Sequence, residues 1–188
     1  LATELPYRDF ITVGVLLDKI SGPNSEQLDD NWIYIQEEDV KVGRIQIFNN
    51  WSPYLAADPK KIWIGLEYFC DEKDNFWNKS DQQIINLAKE ELIKLKLCEQ
   101  NDIKDATLIR EKKTYPAYFG SYKDFDLVKK DLNKIKNLFC IGRNGMHKYN
   151  NQDHSMLTAI RAAELLNSNC TSPKNKESLW LINTEQLY

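Results

Sequence analysis

Gly142-Arg143-Asn144-Gly145 is the segment of this chain best suited to chemistry, because two glycines let a guest approach bare backbone and Arg143 adds a fixed cation with a planar fork. Beyond it, Tyr149, Asn150, Asn151, Gln152, Asp153, His154 and Ser155 surround the start of a helical pattern with donors and acceptors. Free amides at a helix start carry partial positive charge, so this arrangement suits an anionic group, diphosphate above all. The same residues also describe an ordinary capped connection whose polar groups face water.

Other reactive side chains form weaker patterns. His147 and His154 are seven residues apart with Asp153 beside the second, but a metal site needs further ligands that the sequence does not supply, so no metal is expected. Asp153, His154 and Ser155 are sequence neighbours and cannot face one another as a nucleophilic triad. Glu67, within a strand-like run, is the carboxylate to consider as an acid or base, and no catalytic residue can be assigned. Cysteines 70, 98, 140 and 170 include no C-x-x-C pair, so buried free thiols are the expectation.

These residues must be positioned by a mixed fold. Residues 10–17, 32–36, 44–48 and 62–69 are β-branched and aromatic runs of strand length separated by turn formers, which predicts a mostly antiparallel sheet. The fourth run is apolar on both faces and belongs in its middle. Gly14 and Gly65 interrupt two of the runs, through tight packing or close approach of a ligand. Ser80 and Gln83 have capping-box spacing before a helix over about 81–97. A strand over 106–112 and a helix over 122–136 follow, with aromatics Tyr115, Tyr118 and Phe119 presented around Pro116. The apolar run 137–141 reads as a short strand leading through the glycine loop into a helix over 153–167. Residues 168–178 read as a polar linker or loop, and 179–182 as a last strand or an anchor.

At 188 residues, with 42% hydrophobic and 28% charged residues, the chain can bury a sizeable core. A net charge of −3 gives no electrostatic footprint for nucleic acid or anionic lipid. No apolar stretch approaches a membrane span and no leader opens the chain, which leads to the expectation of a cytoplasmic protein.

The segment from Ile141 to Met156, IGRNGMHKYNNQDHSM, resembles the C-terminal flavin-binding signature of the FAD-dependent amine oxidase superfamily, and in particular its UDP-galactopyranose mutase-like and protoporphyrinogen oxidase-like branches. In the mutases a G-R-x-G loop, a tyrosine six residues after the arginine and a D-M-D helix start follow a terminal strand. Gly142, Arg143, Gly145 and Tyr149 match in place, while Asn151-Gln152-Asp153 replaces the acidic pair. Residues 7–10, 49–53, 65–69 and 115–118 look like bacterial NAD(P)/FAD-dependent oxidoreductases, so the resemblance spans about residues 5–167.

The resemblance implies an α+β chain: a mostly antiparallel substrate-domain sheet with flanking helices over 1–136, a strand-loop-helix of a Rossmann-like FAD-binding domain over 137–167, and a tail over 168–188. The seven glycines contain no G-x-G-x-x-G, so the chain would be the C-terminal portion of a larger oxidoreductase whose dinucleotide-binding half is its missing partner. FAD would be the cofactor, bound weakly or not at all by this portion alone. Its contacts would come from Gly142, Arg143, Asn144, Gly145, Asn151, Gln152, Asp153, His154, Ser155 and Met156. A small-molecule substrate, such as a nucleotide-sugar, would meet Tyr149 and be walled by Tyr115, Tyr118, Trp51, Tyr54 and Tyr68. The chemistry would belong to the flavin: hydride transfer, or attack on a sugar carbon in a mutase. A non-catalytic module that accepts a nucleotide-sugar or a protein partner is the alternative from another class.

Overall fold

A computed structural model describes residues 1–22 and 28–183. The five strands are β1 (Tyr7–Leu17), β2 (Trp32–Tyr34), β3 (Arg44–Ile47), β4 (Ile62–Cys70) and β5 (Ile103–Pro116). They form one sheet in the order β2-β3-β4-β1-β5, and the pairs β2/β3, β3/β4 and β4/β1 are antiparallel. The run that is apolar on both faces is indeed central. The helices are α1 (Phe48–Trp51), α2 (Asp81–Lys94), α3 (Phe125–Lys134), α4 (Gly142–Gly145), α5 (Gln152–Asn167) and α6 (Pro173–Trp180). No helix among the described residues is long and apolar enough to cross a membrane.

By contact the chain divides into two compact units, Asp9–Lys112 and Leu1–Arg8 with Lys113–Tyr188. This differs from a division at 136/137 and 167/168, because α3 packs with α6 and α6 with α5.

In the first of these units, period-two alternation sends Ile11, Val13, Val15 and Leu17 of β1, Ile45 and Ile47 of β3, and Ile64, Leu66 and Tyr68 of β4 to one face, where Ile84, Ala88 and Leu92 of α2 cover them. The capping box of α2 forms as its spacing predicts: Ser80 accepts from the Gln83 amide and Gln83 accepts from the Ser80 amide. Gly14 and Gly65 face each other across β1 and β4. A Cβ at Gly14 would come within 2.7 Å of the Trp63 ring, and one at Gly65 within 2.9 Å of the Phe48 ring. Tight aromatic packing, rather than approach of a ligand, therefore accounts for both glycines.

The other unit departs further from expectation. Residues 137–141 are not a strand, since β structure needs a neighbouring ladder and no described strand pairs with them. Helix α6 begins inside the polar stretch 168–178, where a linker or loop is expected, and is capped by Ser172 with Pro173 in its first turn. Of the run 179–182, Leu179 and Trp180 are buried and dock as an anchor, whereas Leu181 is exposed. Lys176 donates to the carbonyls of Ile135 (2.6 Å) and Leu138 (2.9 Å) just past α3. The Trp180 indole donates to Asn133, whose amide in turn donates to Glu177.

All four cysteines are free, but only Cys70 is buried, whereas Cys170 is exposed. Burial pushes the Cys70 and Cys98 thiols up to about 11.

Candidate functional site

Asn151 caps α5. Its side chain accepts from the His154 amide, and its own amide donates to His154 Nδ1 at 3.3 Å. This places the helix start one residue earlier than periodicity alone suggests. It also occupies one of the first-turn amides and leaves those of Gln152 and Asp153 as the ones a ligand could use. Ahead of α5, residues 142–145 are a single helical turn rather than an open loop.

Gly142 has φ +74°, a conformation that favours glycine. Its amide donates to Thr158 Oγ1 at 3.0 Å, and Thr158 donates onward to the Ser155 carbonyl at 2.7 Å. The Gly142 amide is thus engaged inside the protein, contrary to the expectation that it would meet a diphosphate. Thr158, wholly buried, was missed by sequence reasoning; a threonine within a helical stripe carries no signal of a partner sixteen residues away.

Arg143 is the centre of the arrangement. Its Nε donates to the Asn150 carbonyl at 2.9 Å, and its guanidinium lies 4.5 Å from the Tyr149 ring centroid and 5.3 Å from that of Tyr115. The two tyrosines stack at 5.5 Å. Tyr118 accepts from the Tyr149 amide at 2.5 Å. Three aromatics expected around a substrate therefore converge here, and in this structure they hold the loop and orient Arg143.

Beside them lies a hollow of about 490 Å3, lined by Arg143, Asn150, Asn151, Gln152, Ser155 and Met156. Its wall contains one cation and no acid. Asn144, Gly145, Asp153 and His154 are outside the lining, although they belong to the same turns. Asn150 is held by donation to the Gly142 carbonyl (3.4 Å) and by acceptance from the Asn183 amide (3.0 Å). Lys148 donates to the carbonyls of Trp180 and Ile182, and Asn183 also donates to the Tyr149 carbonyl (2.8 Å). The end of α6 thus braces the loop. Desolvation lowers the Lys148 pKa below its ordinary value.

The remaining predicted residues lie in the other unit. Trp51 is half exposed and meets the Trp32 ring edge-on at 5.0 Å. Tyr54 is almost fully exposed. Tyr68, expected at the substrate wall, is instead wholly buried on the core face, and its hydroxyl donates to Glu91 at 2.9 Å, so it walls no accessible cavity. Burial, followed by the Glu91 charge, raises its pKa. Glu67 points to the opposite face and accepts from both Arg44 and Gln46. With each oxygen so engaged, it is a structural ion-pair partner rather than an acid or base.

No protein-family model and no curated protein matches the chain. Among solved structures, a reduced UDP-galactopyranose mutase superposes with TM-score 0.72 at 19% identity, over 97% of this chain and 39% of the mutase. A protein from Exiguobacterium sp. 255-15, provisionally assigned as a protoporphyrinogen oxidase, superposes with TM-score 0.52 at 14% identity, over 70% of this chain and 28% of its own. At these identities the likeness is one of fold. The chain spans about two-fifths or less of either structure.

Proposed function

We propose that this chain is the C-terminal part of a flavin-dependent oxidoreductase, in which the turn at Arg143 and the start of α5 hold the diphosphate portion of FAD. The observation that carries this reading is the hollow itself: one guanidinium, no carboxylate and the positive end of a 16-residue helix line a space of about 490 Å3. That donor set fits a diphosphate, with Arg143 and the amide of Gln152 as its holders. Bound there, the flavin would supply redox chemistry, and this chain would contribute binding and orientation.

Two observations support a partner from the rest of a longer polypeptide. Helix α5 carries Met156, Leu157, Ile160 and Leu166 in exposed positions, Met156 at 65%, although a helix in a finished core hides such residues. In the neighbouring apolar run Leu138 and Ile141 are also exposed, and among the described residues no strand pairs with it. A dinucleotide-binding half would cover both.

The test is expression with the upstream reading frame, followed by measurement of flavin absorbance and FAD-dependent thermal stabilisation. Retention of FAD is expected, and its absence would overturn the reading. Arg143→Ala in that protein is expected to weaken FAD binding about tenfold to a hundredfold, the worth of a charge-assisted contact. Arg143→Lys should recover only part of it, because an ammonium lacks the planar fork. Unchanged retention in the alanine variant would remove Arg143 from the site.

Sugar mutase activity is the second reading, favoured by the more extensive superposition on the mutase. It predicts turnover without net oxidation, so incubation of the reduced protein with UDP-galactopyranose should yield the furanose; no furanose rejects it.

A further inference from the structure

We propose that His147 is the positioning residue of the 142–151 loop and holds it only as a neutral imidazole, so that a single proton unlatches the candidate ligand site. The proposal rests on the reading of that loop as a ligand loop, but its physical core does not require the ligand.

His147 is only 3% exposed. Its Nε2 lies 3.1 Å from the Ala117 carbonyl, which can only accept, so the ring proton sits on Nε2 and Nδ1 is a bare lone pair. That Nδ1 is buried without any hydrogen-bond partner among the described residues. Around the ring stand Tyr7 edge-on at 4.6 Å, Tyr122 at 5.7 Å and Phe125 at 5.9 Å. A proton on Nδ1 would create a buried cation whose new N–H finds no acceptor, the costly case for a polar group out of water.

The groups that face the ring come from each element packed on it. Tyr7 of β1 and Tyr122 of the 3-10 turn at Gly120–Asp124 are phenols whose pKa values are pushed up by burial, so both stay uncharged. Phe125 of α3 is apolar, and the segment after β5 supplies only the Ala117 carbonyl. Further out, the Lys113 ammonium lies over the Tyr7 ring at 5.8 Å. Lys148, next in sequence, donates to the α6 carbonyls, and Asp126 is paired with Lys129 at 3.2 Å. No carboxylate among these contacts welcomes an imidazolium, and desolvation lowers the His147 pKa below 6.5.

The backbone ties the ring to the site. His147 has φ +46° and its amide donates to the Asn144 carbonyl, while the Lys148 amide donates to the Arg143 carbonyl at 2.9 Å. Expulsion of the ring breaks the turn that carries Arg143. The sign follows from linkage: the folded pKa is depressed, so the loop is fully held above the unfolded value of about 6.5 and is progressively lost as pH falls beneath it.

The experiment follows the His147 ring by NMR and the amide hydrogen exchange of residues 142–151, corrected for intrinsic rates, in the 188-residue chain from pH 7.5 to 5. A His147 midpoint below 6.5 is expected, with loop protection falling by up to about tenfold per pH unit between about 6.5, the value of the exposed ring, and that midpoint, and levelling off beneath it. His147→Phe, which keeps a ring but cannot titrate, should remove the pH dependence. A midpoint at or above 6.5, pH-independent protection in the parent chain, or the same slope in His147→Phe overturns the proposal. If His147→Phe does not fold, the parent titration still decides. Failure of the longer protein to bind FAD would sink the functional reading alone, whereas FAD binding with a pH-insensitive loop would sink the latch alone.

Discussion

Replacement of Arg44 by methionine is expected to destabilise the Asp9–Lys112 unit by about 3–5 kcal/mol, the cost of leaving a buried charge without its partner. Arg44 of β3 and Glu67 of β4 are directly opposite in the register, and their side chains are 9% and 1% exposed. Glu67 accepts from Arg44 and from Gln46, and the guanidinium also lies over the rings of Trp32 (4.6 Å), Tyr34 (5.7 Å) and Phe69 (6.0 Å). Methionine keeps much of the stem's contact with those rings but strands the carboxylate. The double substitution Arg44→Met with Glu67→Leu should therefore cost much less than the sum of the two single ones, because no charge is left behind. Urea denaturation followed by tryptophan fluorescence reports on this unit through Trp32, Trp51, Trp63 and Trp77. A loss below about 1 kcal/mol for Arg44→Met, or strict additivity, would show the pair to be solvated and would return Glu67 to the list of candidate acids.

The second large effect is expected at Lys176, only 1% exposed. Its ammonium donates to two carbonyls beyond the end of α3 and lies 4.6 Å from the centroid of Phe139. A helix C-terminus leaves carbonyls without intrahelical partners, and here a side chain from another helix serves them. Lys176→Met retains the length but takes the donor from two partly buried carbonyls, at a cost of about 1–3 kcal/mol. Because the end of α6 also holds Lys148 and Asn183 against the candidate site, the same variant should loosen residues 142–151. Near-ultraviolet circular dichroism of Trp180, together with denaturation, checks both. A shift under about 1 kcal/mol would mean that water replaces the ammonium.

Both predictions concern residues whose importance the sequence hides. A lysine in a polar stretch reads as solvated, so 168–178 looked like a linker. Only the carbonyls of Ile135 and Leu138, some forty residues away, convert Lys176 into a core residue. The converse error occurred at 137–141, where local apolar and β-forming character suggested a strand. A strand is a relationship between chains of backbone groups, and the described residues supply no partner for it.

The site was legible to the extent that its chemistry is local. Arg143, Asn151, Gln152, Ser155 and Met156 were identified from sequence and line one hollow, because a helix start necessarily gathers the residues just around it. The engagement of the Gly142 amide was not legible because its partner, Thr158, is the seventh residue of α5, a contact that spacing does not announce. The Tyr115–Arg143–Tyr149 stack needed the chain to return on itself.

By itself the sequence determined periodicities and caps: which residues alternate across the strands, that β4 lies centrally, and that Ser80 and Gln83 begin a helix. These depend on neighbours a few residues away, so they are written locally. Tertiary structure alone decided which face of each strand is dry. Alternation requires Glu67 and Tyr68 to point oppositely, but it was α2 covering one side that buried Tyr68 against Glu91 and left Glu67 to Arg44. Burial is a property of what arrives from elsewhere in the chain, and it settles whether a polar side chain becomes a ligand, a solvent contact or a structural partner.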